Sequence, residues 1–247
     1  MFFPTIGSDP YYNNVSLLLP MEGANNSTEF VDYSPAPKTI TRYGNTKIST
    51  AQSKWGNGSG YFDGTGDYLT ISDVLTVGTG DFCIEGWFRF VGLGSYTRPF
   101  SQGALQTNGS LDIELNNTNS GLISAPYPGS SVNSLGMSLN TWTHLALTRQ
   151  SGLVRFFVNG VSKFSATQAG AITNALFYLG AMVGYTNSSN HNLYSYVNDF
   201  RITKNVARYT ANFTPPTRLL SYYNTTKVYL ASPTQQPSFT DVARRGL

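Results

Sequence analysis

Apolar side chains recur at every second residue between Phe82 and Phe90, and this alternation limits what the chain can fold into. Successive side chains of a β-strand point to opposite faces of a sheet, so the segment predicts one long strand. One face carries Phe82, Ile84, Phe88 and Phe90, and the other carries Cys83, Glu85, Trp87 and Arg89. We therefore expect the first face to belong to a hydrophobic core.

Segments with the same character are distributed along the whole chain, and no segment shows helical periodicity over three turns. Each is bounded by Gly, Asn, Pro or Ser clusters, which favour turns. These strand candidates are residues 15–19, 60–62, 68–71, 110–115, 143–149, 176–180 and 196–202. Residues 153–164 add two β runs separated by Asn159-Gly160, which suits a type I′ turn because both central residues need a positive φ.

Many short strands without intervening helices predict an all-β fold, in which two antiparallel sheets stack as a jelly-roll β-sandwich. The chain has 247 residues, of which 40% are hydrophobic, and this is enough for one domain with a sizeable core. We expect that core to contain Phe82, Ile84, Phe88, Leu145, Leu147 and Ile202.

Charge and cysteine content exclude several functional classes. The net charge is +3 and the 16 basic residues are scattered, so nucleic-acid binding has no support. Cys83 is the only cysteine, which excludes an intramolecular disulfide and a Cys-based zinc site.

The longest mostly apolar stretch, residues 175–184, is much shorter than the roughly 20 residues that span a bilayer. The first residues also lack the basic and apolar segments of a secretory signal. We expect neither membrane insertion nor a signal peptide.

Several segments resemble, in the expected order, a known type of domain. They are residues 15–19 followed by Glu22-Gly23 and Asp32, then 48–56, 61–69, 80–88, 142–149, 156–160, 197–209 and 213–216. Together they resemble the laminin G-like domains of tailed-bacteriophage virion proteins, in the concanavalin A-like lectin/glucanase superfamily. The resemblance covers roughly residues 10–217, so we divide the chain into a domain at 1–217 and a C-terminal extension at 218–247.

The resemblance implies a non-enzymatic module on the surface of a bacteriophage virion, as a tail fibre, an adhesin or a capsid decoration. Its expected ligand is a host-surface polysaccharide, and its expected partners are other virion subunits, including copies of itself in a homo-oligomer. Assembly would take place in the host cytoplasm. The alternative is a purely structural virion protein that mediates subunit contacts.

A glycoside hydrolase is the enzymatic alternative, because some relatives of this fold use carboxylates that alternate along one strand. Asp112 and Glu114 share one strand face here, but Ser110 stands at the first acidic position of that pattern. We therefore expect no catalytic residues and interpret Asp112 and Glu114 as part of a solvated strand face. His144 and His191 have no nucleophile elbow to accompany them, and we expect His144 to have a packing or hydrogen-bonding role.

Aromatic residues in loops rich in Asn, Asp and Gly are typical of a carbohydrate-binding surface. Aromatic faces stack on the C–H groups of a sugar, and amides bind its hydroxyls. The candidates are Trp55, Tyr96, Tyr127, Tyr185, Tyr194 and Tyr196. The alternative for any one of them is a place in the core or at an interface.

The family resemblance also implies a structural calcium site. The matching positions are Asp199 and Glu22 with neighbouring carbonyl groups, and oxygen ligands of this kind suit Ca2+. Asn198 departs from the family, which often has an aspartate there. The alternative is that Asp199 only caps a turn.

The extension contains one β run, residues 227–230, which is followed by Phe239-Thr240-Asp241. A lone strand satisfies its backbone groups by joining the edge of a sheet, so we expect it to dock and to help hold neighbouring subunits together. The alternative is a flexible polar tail.

Overall fold

The computed structural model describes residues 9–104, 107–126 and 128–220. In these residues the chain forms fifteen strands and one 3-10 helix, Tyr12–Asn14. The strands are β1 (Val15–Leu19), β2 (Thr41–Tyr43), β3 (Lys47–Ser49), β4 (Ser59–Asp63), β5 (Tyr68–Ser72), β6 (Phe82–Gly92), β7 (Phe100–Gln102), β8 (Leu111–Leu115), β9 (Gly121–Ser124), β10 (Ser130–Val132), β11 (Trp142–Gln150), β12 (Leu153–Val158), β13 (Val161–Thr167), β14 (Leu176–Leu179) and β15 (Tyr194–Lys204).

The strands form two antiparallel sheets. The larger sheet has the order β13-β12-β11-β6-β15-β4-β3, and β1 pairs with the second half of β15. The smaller sheet has the order β10-β9-β8-β7-β14-β5-β2. The chain crosses repeatedly from one sheet to the other, as between β5 and β6, which is how a jelly roll is built. The predicted all-β, two-sheet antiparallel sandwich is confirmed.

Phenylalanine and aliphatic side chains fill the space between the two sheets. Phe200 of β15 contacts Phe100 and Phe177 of the smaller sheet, with ring centroids 5.9 and 6.0 Å away. All the predicted core residues are fully buried, namely Phe82, Ile84, Phe88, Leu145, Leu147 and Ile202. Because the inner faces carry almost only apolar groups, burial of this surface is the main stabilising contribution to the fold.

A β-bulge at Asp199 changes the alternation along β15. Asp199 has a φ of +55°, and the pairing of β15 with β6 shifts between Asn198 and Arg201. The extra residue lets Val197 and Phe200 both reach the core although they are three positions apart. It also removes Asp199 from the regular ladder, which matters for the candidate metal site.

The predicted hairpin at Asn159-Gly160 is confirmed, since φ is +50° at Asn159 and +77° at Gly160. Gly160 has a second role, because a Cβ atom there would lie 1.9 Å from the carbonyl oxygen of Phe213. The backbone N–H of Phe213 donates to the carbonyl of Gly160 at 2.9 Å. The turn therefore binds the segment that follows β15.

We call that segment, residues 206–220, the C-terminal strap, and it lies on the outer face of the larger sheet. Tyr209 and Phe213 of the strap stack with ring centroids 3.6 Å apart, and Phe213 contacts Phe157 edge-on. Tyr209 also reaches Glu85 of β6 with its hydroxyl, at 2.7 Å from Oε2. Cys83, Glu85 and Trp87, which lie on this outer face of β6, are all buried.

Every strand predicted within the described residues is present, although the bounds differ by up to two residues at β15 and by three at the end of β13. Five strands were not predicted, namely β2, β3, β7, β9 and β10, and each has only three or four residues. So short a strand offers too few alternations to be recognised. The predicted docking strand at 227–230 lies outside the described residues. Among the described residues, none belongs to a helix long and apolar enough to cross a membrane.

Candidate functional site

Three tyrosines on the outer face of the larger sheet, Tyr61, Tyr194 and Tyr196, form what we call the tyrosine cluster. Tyr61 of β4 pairs with Tyr196 of β15, and their ring centroids are 4.8 Å apart. Tyr194 lies 6.5 Å from Tyr61 and is 37% exposed. Arg89 of β6 pairs with Tyr196, and its guanidinium lies 6.0 Å from that ring. The result is an accessible aromatic surface with one cation at its side.

Neighbouring groups determine both the position and the protonation of this cluster. A Cβ atom at Gly64 would lie 3.0 Å from the Cβ of Tyr194, so a larger residue there would displace the ring. Burial, followed by the hydrogen bond to Tyr194, raises the pKa of Tyr61 to about 12. A tyrosine hydroxyl is protonated at neutral pH even at its ordinary pKa, so this shift leaves Tyr61 a neutral phenol there.

A second aromatic group, the ring stack, consists of Tyr96, His191 and Tyr185. The imidazole stacks on both phenol rings, with its centroid 5.2 Å from Tyr96 and 4.3 Å from Tyr185, at interplanar angles of 26° and 20°. Burial, and then the charge of Arg98, lowers the pKa of His191, which favours the neutral form of the ring. Tyr96 follows shortly after β6 and Tyr185 lies in the segment before β15, so the ring stack and the tyrosine cluster lie at the same end of the sandwich.

The predicted aromatic candidates thus divide into two groups. Tyr194 and Tyr196 come together in the tyrosine cluster, and Tyr96 and Tyr185 come together in the ring stack. Trp55 packs edge-on against Trp87 at 6.3 Å, and Trp87 pairs with Asn198, two residues after Tyr196. Trp55 therefore flanks the tyrosine cluster. Tyr127 lies outside the described residues.

Sequence reasoning missed Tyr61 and Arg89 as members of this surface. Both lie on predicted strands, with alternation that places them away from the core. Their contact with Tyr196 depends on strand order and register, because β4 and β6 pair with β15 from opposite sides. The alternation of each strand indicated that Tyr61 and Arg89 point outward. Nothing in the sequence indicated that the two side chains would both lie beside Tyr196.

The expectation that Asp112 and Glu114 form a solvated strand face is wrong. Both share a face as predicted, but Asp112 is buried and both carboxylates reach one buried guanidinium. Arg98 Nε lies 2.7 Å from Asp112 Oδ1, and Arg98 Nη2 lies 2.8 Å from Glu114 Oε2. Burial raises the pKa of Asp112 to about 6, against the opposing charge of Arg98. The two carboxylates thus position Arg98, which sequence reasoning did not single out.

His144 is fully buried and packs against Trp87, with ring centroids 5.1 Å apart. Its Nε2 atom lies 3.3 Å from Glu85 Oε2, so its environment is the packed and polar one expected from the sequence. Glu85 Oε1 accepts hydrogen bonds from Arg201 Nε at 3.0 Å and Nη2 at 2.5 Å. Asp9 binds the same Arg201 at 3.1 Å and also Arg208 at 2.7 Å. This charge network joins Glu85 and Arg201 of the larger sheet, through Asp9, to Arg208 of the strap.

Asn198 and Asp199 hold the loops beside the bulge in different ways. The Asn198 side-chain amide donates hydrogen bonds to the carbonyls of Pro20 at 2.7 Å and Gly58 at 3.1 Å. Its oxygen accepts a hydrogen bond from the backbone N–H of Trp55 at 2.8 Å. An aspartate could not donate these two bonds, which explains why an amide suits this position. Asp199 Oδ2 accepts from the N–H of Leu220 at 2.6 Å.

The residues at the bulge fit one part of a calcium site. Asp199 Oδ1 is buried and accepts no hydrogen bond from any described residue. Burial raises the pKa of this carboxyl to about 8 despite the N–H of Leu220. Glu22 is half-buried, and its charge adds to the rise at Asp199. In the described part of the chain, no group of three or more His, Cys, Asp or Glu is arranged to hold a metal ion. Main-chain carbonyls would have to supply the other ligands, and the calcium site stays a prediction.

The fold and the open aromatic surface define a class of protein, the two-sheet jelly rolls built like lectins. The model of the concanavalin A-like lectin/glucanases superfamily matches residues 63–208, which is more than half of the chain. The chain therefore belongs to this superfamily.

Solved structures similar to this chain share its fold at low sequence identity. Domain 4 of AbnA, a GH43 extracellular arabinanase from Geobacillus stearothermophilus solved with arabinotriose, is 18% identical, with a TM-score of 0.58 over 77% of this chain and 92% of that one. The botulinum neurotoxin serotype D binding domain is 13% identical, with a TM-score of 0.57 over 78% of this chain. This chain spans 48% of that neurotoxin domain, about half its length.

A sialidase from Trypanosoma rangeli also resembles the chain, with 13% identity and a TM-score of 0.51 over 76% of this chain and 30% of that one. No curated protein matches the sequence. At identities this low the structural neighbours establish the fold, and binding modules and enzymes both occur among them.

Proposed function

We propose that this chain is a non-enzymatic, carbohydrate-binding module displayed on the surface of a bacteriophage virion. The observation that carries the proposal is the tyrosine cluster, which combines aromatic faces, phenol hydroxyls and the guanidinium of Arg89 on an accessible sheet face. The family match supports a lectin-like role, and the similarity to domains solved with arabinotriose or described as toxin binding domains is consistent with it.

The chemistry of the tyrosine cluster suits a sugar better than an apolar ligand. Each ring offers a face to sugar C–H groups, and each hydroxyl can exchange hydrogen bonds with a sugar hydroxyl. Arg89 Nη1 also donates to Asn140 Oδ1 at 3.2 Å, which holds the guanidinium beside the rings. A surface of this size binds a short stretch of polysaccharide, and we expect a dissociation constant between about 1 μM and 1 mM.

Two observations support binding without hydrolysis. Ser110 stands where the glucanase pattern begins with an acid, and the remaining carboxylates, Asp112 and Glu114, are ion-paired with Arg98. Inverting and retaining glycosidases both need one carboxylic acid and one carboxylate flanking the bond that is cleaved. A pair that is engaged by one guanidinium does not present two independent groups to a substrate.

The virion location rests on the order of sequence segments that resemble tailed-phage proteins. Many copies on one particle would raise the effective concentration of weak sites without any new contact. Other virion subunits and copies of this chain are the proposed partners, and the proposed ligand is a host-surface polysaccharide.

Replacing both Tyr194 and Tyr196 with alanine should weaken polysaccharide binding at least about tenfold, a loss of about 1.4 kcal/mol, because two stacking faces disappear. The measurement is retention of host cells or envelope polysaccharide on beads that display many copies of the protein. Tyr11→Ala is the matched control, since Tyr11 is an exposed ring that packs on Arg208 away from the cluster. It should bind like the unmodified protein.

Equal retention by the double variant and the control would reject the tyrosine cluster as the binding surface. If the unmodified protein retains no host polysaccharide at all, the alternative of a purely structural virion protein replaces the proposal. Release of reducing sugar during the assay would show that the protein is a glycoside hydrolase instead.

We also propose that calcium binds at the bulge through Asp199, Glu22 and neighbouring carbonyls. Calcium at 100 times its dissociation constant should then stabilise the fold by about 2.7 kcal/mol, which differential scanning calorimetry in calcium and in chelator would detect. Asp199→Asn should remove this difference, whereas Asp63→Asn, a change of the same kind in β4, should keep it. An identical melting temperature in calcium and in chelator would exclude the metal.

A further inference from the structure

An open groove of about 280 Å³ lies at the end of the sandwich opposite the tyrosine cluster. Tyr194 begins β15 and Lys204 ends it, and an eleven-residue strand separates them by about 33 Å. The amide and charged side chains that line the groove come from four parts of the chain, namely Asn13 and Asn14, Lys38, Asp73, and Lys204 with Asn205. The groove is a separate site, so it and the tyrosine cluster can fail independently.

The fold holds the backbone that carries each lysine. Lys204 ends β15, and its ammonium donates to the carbonyl of Asp73 at 3.0 Å. Lys38 lies in the loop after β1, which is organised by the buried carboxylate of Asp32. That carboxylate accepts hydrogen bonds from the backbone N–H groups of Leu18, Ser34 and Lys38 at 2.8–2.9 Å. The backbone at Lys38 is thereby tied to β1, beside the groove.

The charges that line the groove are not balanced. Two ammonium groups, of Lys38 and Lys204, face one carboxylate, of Asp73, and no ion pair joins a lysine to a carboxylate here in the described residues. Burial, and then the charge of Lys38, lowers the pKa of Lys204, against the opposing charge of Asp73. The two cations are therefore close enough to repel each other. An anion bound between the two ammonium groups would offset this electrostatic repulsion.

Three side-chain amides of the lining are suited to hydroxyl groups. Asn13, Asn14 and Asn205 each have a side-chain amide that offers two donors and one acceptor. Within the described part of the chain, Asn14 and Asn205 form hydrogen bonds through their backbone N–H groups, to the carbonyls of Tyr11 and Asp81, and the three side-chain amides have no protein partner. The groove also has more volume than a single oxyanion needs, since one water occupies about 30 Å³ of liquid.

We propose that this groove binds an acidic sugar residue, with its carboxylate or phosphate against Lys38 and Lys204 and its hydroxyls against the asparagine amides. The negative charge of the oxyanion balances the positive charge of the two lysines. The sugar ring carries hydroxyls that the asparagine amides can bind. Phosphate and carboxylate share this chemistry, and the choice of probes distinguishes them.

The test is titration calorimetry of the full chain with glucose 6-phosphate, glucuronate, inorganic phosphate and glucose at constant ionic strength. We expect at least one of the two acidic sugars to bind about tenfold more tightly than inorganic phosphate, and glucose not to bind. Lys38→Gln with Lys204→Gln should weaken that binding at least tenfold. The control, Lys47→Gln with Lys163→Gln, removes the same charge from β3 and β13 and should bind as the unmodified chain does.

Three results would overturn the proposal. Equal binding of inorganic phosphate and both acidic sugars would show that the amides do not recognise a sugar. Unchanged affinity in the groove variant, with its melting temperature preserved, would show that these lysines do not hold the ligand. Equal weakening in the control variant would show that only the net charge matters. Binding of polysaccharide by the tyrosine cluster is unaffected by any of these results.

Discussion

Glu85→Gln should destabilise the fold by about 3–5 kcal/mol, as expected when one partner of a buried charge network is removed. Glu85 is fully buried and accepts two hydrogen bonds from Arg201 and one from Tyr209. Glutamine keeps the size of the side chain but leaves the buried charge of Arg201 with Asp9 as its one carboxylate partner among the described residues. Urea-induced unfolding of both proteins at pH 7 measures the difference.

The exposed Glu29 provides the matched control, since Glu29→Gln makes the same chemical change without burial. Its effect should stay within about 0.5 kcal/mol. An equally small effect of Glu85→Gln would contradict a stabilising role for the network. Because the strap covers Glu85, protection of strap amides from hydrogen exchange should also fall in the variant.

The same network predicts how stability depends on pH. Burial alone would raise the pKa of Glu85, but the charge of Arg201 and the hydrogen bond from His144 together hold it well below its usual range. A carboxyl with a lowered pKa in the folded state contributes stability above its unfolded pKa, and this contribution is lost as the pH falls through the acid range. The loss should begin near pH 4.5, the ordinary pKa of a glutamate, and it should be smaller in Glu85→Gln.

Phe88→Ala should cost about 3–5 kcal/mol, because truncating a fully buried phenylalanine removes apolar contacts and leaves a cavity. The Phe88 ring stacks on Phe90 at 5.7 Å and meets Phe200 edge-on at 6.3 Å, so the cavity would open at the centre of the larger sheet. The measurement is again the free energy of unfolding in urea. Unlike the loss in Glu85→Gln, this loss should not depend on pH.

The exposed Val161 gives the comparison for this substitution, and Val161→Ala should change stability by less than about 0.5 kcal/mol. A near-neutral effect of Phe88→Ala would contradict its place between the sheets. A large effect of both variants would point to a general weakness of the larger sheet and not to core packing.

Prediction from the sequence succeeded where the signal is local. The alternation along β6 is local, and it correctly separated the core residues Ile84 and Phe88 from Glu85 and Trp87. The Asn159-Gly160 turn is local as well, because positive φ angles are a property of the residues themselves. The short strands β2, β7 and β10 were missed because each has only three residues, too few to show an alternation. β2 and β7 also pair with strands distant in the chain, β5 and β14.

Prediction of the candidate site was only partly successful, because the site depends on contacts between residues that are distant in the chain. Four of the aromatic residues, Tyr96, Tyr185, Tyr194 and Tyr196, were recognised. Nothing local indicated that Tyr61 would join Tyr196 or that both Tyr96 and Tyr185 would stack on His191. The environment of Asp112 was predicted wrongly, since Arg98 lies on a different segment and its approach depends on the pairing of β7 with β8. Glu85 was placed on the correct face, but the strap that buries it was not foreseen.

The sequence by itself determined the class of fold, the core face of each long strand and the central hairpin, because alternation and turn chemistry act between residues that are neighbours in the chain. Only the tertiary structure decided which distant side chains meet. The register of β15 against β4 and β6 assembled the tyrosine cluster, and the loop tied to β1 by Asp32 placed Lys38 near Lys204. Such meetings depend on strand order and on a bulge at Asp199, which are properties of the assembled sheets and not of any one segment.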